Sequence, residues 1–406
     1  MLPFYKPSYD PDTVKALDEV LRSGWLTTGA RTKEFEKRLS AYCGNKATIC
    51  VSAATTGLEL MLRWFGIGDG DEVILPAYTY CATANVIVHC GAKPVFVDSG
   101  SDFNLSVEEV EKAITPATKV IMPVDFAGLP CDYDALNDLV RREDIVAQWD
   151  GINEVQKHLG RILILSDSAH SFGGTYKGNR VGSLTDISVF SFHAVKNLTT
   201  GEGGAIALNL NSQFDNQAIY NSLNTNSLHG QTKDALAKTR NGEWRYDIIN
   251  AGYKCNMTDI QAAIGLVELA KYDKQTLVKR QAIFDYYTKA FEKHEWAEIP
   301  EHSSDKRTSS CHIYPLRIRN VEETQRDKII ERIFAREVAV NVHFQLVPMM
   351  SFYKGLGYTP ETYPVAFDNY TREITLPVYT DLTESDLDKV ITAVVGAVSD
   401  QLAVDA

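Results

Sequence analysis

One long cation stands where an apolar chain turns. In SVFSFHAVKNLTTGEGG (188–204) a strand-like run ends at Phe192, a second one from Ala205 to Leu208 follows the glycines, and Lys196 lies between them. An amine at the edge of a sheet core is shielded from water, and a desolvated lysine gives up its proton more readily and attacks carbonyl carbon. Upstream, LSDSAHSFGG (165–174) places Asp167 and His170 where another apolar run gives out. A carboxylate at a strand's carboxyl end can reach a ligand that the lysine holds. Pyridoxal phosphate needs that pair: an amine for its aldehyde, and an acid that keeps its ring nitrogen protonated so that the ring draws electrons. Asp167 suits the second role, and His170 is placed to cover the ring or donate to its phenolic oxygen. Each residue also has a plain structural reading: a surface lysine, a helix N-cap and a packed core histidine.

Phosphate requires donors. SAATTGLELML (52–62) reads as a turn of small residues running into a helix. Free N–H groups at a helix N-terminus, with the hydroxyl of Thr55, make an anion site. Ser191, just before Lys196, adds a second hydroxyl. The structural alternative is N-capping by Ser52 or Thr55. Neither a GxxxxGK[ST] loop nor a GxGxxG turn after the first strand occurs, which argues against nucleotide hydrolysis and dinucleotide binding. In LPAYTYCATANVIVHCGAKPVFVD (75–98), Tyr78 and Tyr80 follow a strand-like run. One of them can stack on a planar cofactor, or both can pack beneath a loop.

These residues must be positioned by a sheet. EVILP (72–76), PVFVD (94–98), KVIMPVDF (119–126), RILILSDS (161–168) and DISVFSF (186–192) are strand-like, with helical periodicity between them. SVEEVEKAI (106–114), for example, opens with a Ser-x-x-Glu capping box. Nearly continuous apolar strands alternating with helices predict an α/β fold with a mainly parallel sheet covered on both faces. Ligands of such sheets sit at the carboxyl ends of the strands. Residues 258–291 read as one long helical region. Beyond Pro300, CHIYPLRI (311–318) and VAVNVHF (338–344) read as strands, and DKIIERIFARE (327–337) and ESDLDKVITAVVGAV (384–398) as helices. The chain therefore divides into a large domain, 1–270, and a small C-terminal α+β domain, 271–406. The stretch 141–160 is long for one crossover, which predicts an inserted loop.

Bulk composition narrows the classes. The 406 residues are 44% hydrophobic, enough for a sizeable core, and carry a net charge of −12, which disfavours nucleic-acid binding. Seven cysteines, an odd number without a CxxC pair, predict neither a disulfide framework nor a metal site. No basic-then-apolar leader is seen at the start, and no apolar run approaches the ~18 residues of a membrane span. The expectation is a cytoplasmic protein without a membrane partner.

Longer phrases carry a further likeness. They are GWLTTGARTKEFE (24–36), VSAATTGLEL (51–60), the 75–98 stretch, SDSAHSFGGTYKGNRVGSLTDISVFSFHAVKNLTTGEGG (166–204), GYKCNMTDIQAAIGLVEL (252–269), VNVHFQLVPMMSFYKGLG (340–357) and ITLPVYTDLTESDLDKVI (374–391). In their kind and order they resemble the DegT/DnrJ/EryC1/StrS sugar aminotransferases. The resemblance implies the aspartate-aminotransferase-like fold type I, with a seven-stranded sheet in the large domain. Pyridoxal 5′-phosphate is the implied cofactor, with Lys196 forming the Schiff base, Asp167 at the pyridine nitrogen and His170 at the ring oxygen. Ala54, Thr55 and Ser191 would hold the phosphate and Tyr80 would stack on the ring. Asn256 would reach the cofactor phosphate of a neighbouring subunit, which implies a homodimer with shared active sites. His343 and Thr28 would face the sugar nucleotide. The implied reaction moves an amino group from L-glutamate to a nucleotide-linked keto sugar for surface polysaccharide synthesis. The GYKxN phrase (252–256) points to C4 of a UDP-4-keto-6-deoxy sugar. Two departures stand out: Ser166 where many members carry an acid, and Gly252-Tyr253-Lys254-Cys255-Asn256 where Gly-Tyr-Asn-x-Arg is common. Relatives that dehydrate or deoxygenate sugars replace the lysine with histidine, and a regulatory relative would lose the lysine or the aspartate. The presence of Lys196 and Asp167 favours the aminotransferase.

Overall fold

The computed structural model describes residues 1–8, 10–233 and 245–405. Its centre is a seven-stranded sheet: β1 (Ala47–Val51), β2 (Glu72–Pro76), β3 (Lys93–Val97), β4 (Thr118–Ile121), β5 (Leu163–Asp167), β8 (Ile187–Ser191) and β9 (Gly204–Leu208), in the order β1-β9-β8-β5-β4-β2-β3. Only β9 runs against its neighbours. Between β5 and β8, the two-residue strands β6 (Thr175–Tyr176) and β7 (Asn179–Arg180) pair with each other and with β11 (Arg307–Thr308). The strands β1, β4, β5 and β9 are buried at every position, as the unbroken apolar runs require of a sheet covered on both sides. One face packs Leu58, Met61, Val189 and Ile206 into the main core, and the other packs Phe35, Phe190, Phe192 and Ala205. Among the described residues no helix is long and apolar enough to cross a membrane.

A second core lies beyond. Strands β10 (Ala297–Glu298), β12 (Tyr314–Ile318) and β13 (Glu373–Leu376) form an antiparallel sheet. It packs Leu316 and Ile374 against Phe284, Ile329 and Val394 from the helices Leu277–Phe291, Glu323–Ala335 and Glu384–Asp405. The chain between β12 and β13 also returns Leu346, Val347, Tyr353 and Tyr370 to the large core.

Three readings of the sequence change in detail. The long helical region is two helices, Asp259–Lys271 and Leu277–Phe291, joined by a π-helical turn, Tyr272–Thr276. Tyr272 is fully buried there and its hydroxyl donates to the Phe172 carbonyl at 2.6 Å. An inserted residue of this kind leaves the apolar periodicity nearly unchanged, so a pattern reading runs through it. VAVNVHF is not a strand: it touches its neighbours only through single bridges, Leu2–Val338 and Asn341–Thr375. Its His343 N–H is taken by a side chain, the Glu373 carboxylate at 3.0 Å, rather than by a ladder carbonyl. The stretch 141–160 folds into two short helices, Glu143–Val146 and Glu154–Leu159, the second pinned to the large core by Asn153 and Gln156 donating to the Phe65 carbonyl.

The two strands that end at the future site are locked at their other ends. Arg161 meets Asp186 through two hydrogen bonds of 2.8 and 2.7 Å, both side chains buried, and Asp186 also accepts from the Ile164 N–H. Removing one partner of such a pair strands an uncompensated charge. Asp186→Ala is expected to lower the unfolding free energy by about 3–5 kcal/mol, read from denaturant midpoints.

Candidate active site

The carboxyl ends of β5 and β8 are adjacent, with Asp167 paired in register to Val189. Past Ser191 the chain leaves the sheet in the short turn that carries Lys196, whose N–H bonds the His193 carbonyl. A cavity of about 450 Å³ opens over these ends. It gathers Ala54, Thr55, Tyr80, Asp167, His170, Ser191, Lys196 and His343 on its walls. Thr28 and Asn256 are not among them. They lie together, Asn256 donating to the Thr28 hydroxyl at 2.6 Å while that hydroxyl donates to the Met257 carbonyl.

Burial governs the electrostatics of the site. Lys196 Nζ has no hydrogen bond or ion pair among the described residues, and burial pushes it from the ordinary 10.5 down to about 8, with Asp167 opposing. Asp167 is raised by burial, against hydrogen bonds from Thr83 Oγ1 at 2.8 Å and the Ala169 N–H at 3.2 Å. No cation lies within ion-pairing distance of Asp167 among the described residues. A buried carboxylate fixed by two donors and lacking a counter-charge is suited to a protonated ring nitrogen. His170 is held neutral chiefly by burial, then by Lys196 and His343, and its Nδ1 is buried with no partner among the described residues.

The phosphate end is set by backbone. The helix Ala54–Trp64 starts from Ala53, which offers no side-chain cap, so neither Ser52 nor Thr55 is the N-cap. The first-turn N–H groups remain available to an anion from the cavity. Gly204 of β9 lies directly behind this turn: a Cβ there would stand 2.6 Å from the Ala53 carbonyl carbon and the Ala54 nitrogen. Glycine is what lets β9 approach the start of this helix. The unpartnered imidazole nitrogen, the unpaired carboxylate, the free amine and the open helix terminus together fit a pyridine ring bearing an aldehyde and a phosphate.

The two tyrosines separate. Tyr78 is fully buried among Phe103 and Phe126, its hydroxyl on the His343 carbonyl at 2.5 Å. Tyr80, 60% exposed, lines the cavity beside Phe344.

Sequence reasoning missed part of the wall. His312 is buried with its ring 4.3 Å from that of His170 and its Nδ1 2.9 Å from Asn197 Oδ1. A polar residue inside the strand-like CHIYPLRI was the available signal. Thr83, three residues after Tyr80, had none. Phe4 and Tyr5 also reach the cavity, Tyr5 donating to the Ala194 carbonyl at 2.5 Å.

Comparisons with known proteins place the chain in one family. Residues 7–395 match the DegT/DnrJ/EryC1/StrS aminotransferase family. The spore coat polysaccharide biosynthesis protein SpsC of Bacillus subtilis is 35% identical over 398 residues, 97% of this chain and 96% of SpsC. A putative sugar aminotransferase of Streptococcus pneumoniae, Spr1654, solved in its PMP-form, superposes with a TM-score of 0.95 at 42% identity over 99% of this chain and 100% of its own. The same protein has been solved in a PLP-form. Helicobacter pylori PseC, an aminotransferase of pseudoaminic acid biosynthesis, gives 0.86 at 27% identity over 98% and 99% of the two chains.

Asp167 is the one group that holds the Lys196 proton on against burial. Asp167→Asn is therefore expected to move the Lys196 amine below about 8. The pH dependence of amine modification in the cofactor-free protein, followed by peptide mapping, reads this directly. An unchanged profile would mean the two groups do not share one field.

Proposed function

Because the chain belongs to the DegT/DnrJ/EryC1/StrS aminotransferase family, we propose that it transfers an amino group from L-glutamate to a nucleotide-linked keto sugar, at C4 of a UDP-4-keto-6-deoxy sugar. The cofactor is pyridoxal 5′-phosphate, and the observation that carries the reading is a Lys196 amine and an Asp167 carboxylate that share one cavity and have no ion-pair partner among the described residues. When bound, the cofactor offers an aldehyde that joins amines reversibly and a ring that draws electrons from the neighbouring carbon.

The chain's own groups do the rest. Lys196, poised to lose its proton near neutral pH, would hold the cofactor through its aldehyde. With an amino donor in its place, the free amine would serve as general base and acid for the proton on the donor's carbon. Asp167 would keep the ring nitrogen protonated, and Thr83 fixes the Asp167 carboxylate. Neutral His170 would contact the phenolic oxygen. Thr55, Ser191 and the first-turn N–H groups of the helix Ala54–Trp64 would hold the phosphate, and Tyr80 would stack on the ring. Tyr5, Phe4, Phe344 and Val378 line the same space with apolar surface that limits water. Donor and acceptor use one cavity in turn, so the kinetics are ping-pong. His343 meets the sugar nucleotide, and Asn256, which lies with Thr28 outside this cavity, serves the cofactor phosphate of a second subunit in a homodimer.

Lys196→Ala is expected to lose the visible absorbance of bound cofactor and to cut turnover by at least about 10²–10⁴-fold. Asp167→Ala should keep cofactor binding through the phosphate end while losing most of the rate. The substrate is tested by incubating wild-type protein with glutamate and a panel of UDP- and dTDP-keto sugars, read by mass spectrometry. A 4-amino sugar nucleotide is the expected product, and absence of any aminated sugar would overturn the reading.

A further inference from the structure

His343 differs from the other cavity histidines in what stands behind it. Its Nδ1 is 3.0 Å from Thr375 Oγ1, and that hydroxyl is hydrogen-bonded in turn to Glu373 Oε1. The other Glu373 oxygen accepts the His343 N–H at 3.0 Å, so one carboxylate grips both the backbone and, through Thr375, the ring of the same residue. Thr375 and Glu373 alternate along β13, two residues apart and on one face. Glu373 is fully buried. The ring of His343 lines the cavity, stacked on Phe4 at 5.6 Å, and its Nε2 has no protein partner among the described residues.

From this chain of contacts we propose that Glu373, Thr375 and His343 form a proton relay that carries one proton between a substrate oxygen in the cavity and the buried carboxylate. A threonine hydroxyl has one proton, so each link fixes the next. With Glu373 ionised, Thr375 donates to it and accepts from His343 Nδ1–H, leaving a bare Nε2 lone pair toward the cavity. When a proton enters at Nε2, the Nδ1 proton passes to Thr375 Oγ1 and the Thr375 proton passes to Glu373 Oε1. The result is a neutral carboxyl donating to Thr375, Thr375 donating to Nδ1, and Nε2–H facing the cavity. The imidazole is neutral at both ends of the transfer, in keeping with a His343 that burial pushes down to about 4. Nε2 is thus an acceptor in one state and a donor in the other, which is what a hydroxyl or carbonyl oxygen of a keto sugar demands as it gains or loses a proton.

The surroundings set where the relay switches. Burial raises Glu373 to about 8, while Arg326 from the helix Glu323–Ala335 and Arg317 from β12 favour its ionised form. Tyr78, from the segment after β2, also faces it. Lys196, His170 and His312 face His343 from the large domain and the start of β12. The relay is expected to hold its proton below about pH 8 and lose it above. Glu373 and Thr375 act through His343 and are positioning residues.

The test is nitrogen NMR of histidine-labelled holoenzyme, with the His343 signal identified by its loss in His343→Gln. In the wild type its Nε2 should move from the N–H to the bare-nitrogen region as pH rises from 6 to 10. Glu373→Gln must turn its carbonyl to the His343 N–H and its amide to Thr375, which locks Nε2–H at every pH. Thr375→Val should abolish the pH-dependent shift, and Thr375→Ser should restore it. A wild-type His343 with one tautomer across the range, or a Glu373→Gln protein with the wild-type profile, overturns the proposal. The sugar oxygen as proton partner rests on the aminotransferase reading. The spectra are taken without substrate, so the relay and that reading fail by different observations.

Discussion

The constraint on which the site depends is the withdrawal of one amine and one carboxylate from water without letting them meet. Lys196 and Asp167 share a cavity, each is shifted by burial, and no hydrogen bond or ion pair joins them. Burying two charges unpaired is unfavourable, and a fold tolerates it only when the surrounding structure leaves neither side chain an easier place to go. The sheet supplies that rigidity. Asp167 closes a fully buried strand and is held by Thr83 and by the Ala169 N–H, and Lys196 sits on a turn tied at both ends to the strands it joins. The buried Arg161–Asp186 pair fixes the same strands from the opposite end. A ligand that brings a ring N–H and an aldehyde would satisfy both groups at once.

Much of the large domain was legible because its chemistry is local. Apolar runs bounded by small residues become the strands, and Lys196, Asp167, Thr55 and Ser191 fall where those strands end. The substrate side was harder to read. VAVNVHF has the alternation of a strand, yet its backbone is committed to a side chain, Glu373, thirty positions away in sequence. Glu373 and Thr375 look like ordinary members of a buried strand, because nothing in local pattern shows that their side chains point at a histidine. The π-helical turn at Tyr272 is silent for a similar reason: the contact made there, from the Tyr272 hydroxyl to the Phe172 carbonyl, spans a hundred residues.

This asymmetry follows the division of the cavity. Asp167, Ser191, Ala54 and Thr55 come from β5, β8 and the helix Ala54–Trp64, and Lys196 and His170 from the turns that directly follow β8 and β5. Those facing the other side, His312, Asn341, His343, Phe344 and Val378, come from irregular segments of the second unit, joined by Phe4 and Tyr5 from the start of the chain. Irregular backbone can change length and direction without disturbing a hydrogen-bonded ladder, whereas a shift in β5 or β8 would move Asp167 or Lys196. Selectivity for the substrate can therefore vary on one wall while the cofactor geometry is conserved by the mechanics of the other. The Glu373–Thr375–His343 chain crosses that boundary. It anchors an irregular segment to strand β13, so the His343 side chain on the cavity wall is placed by a regular element after all.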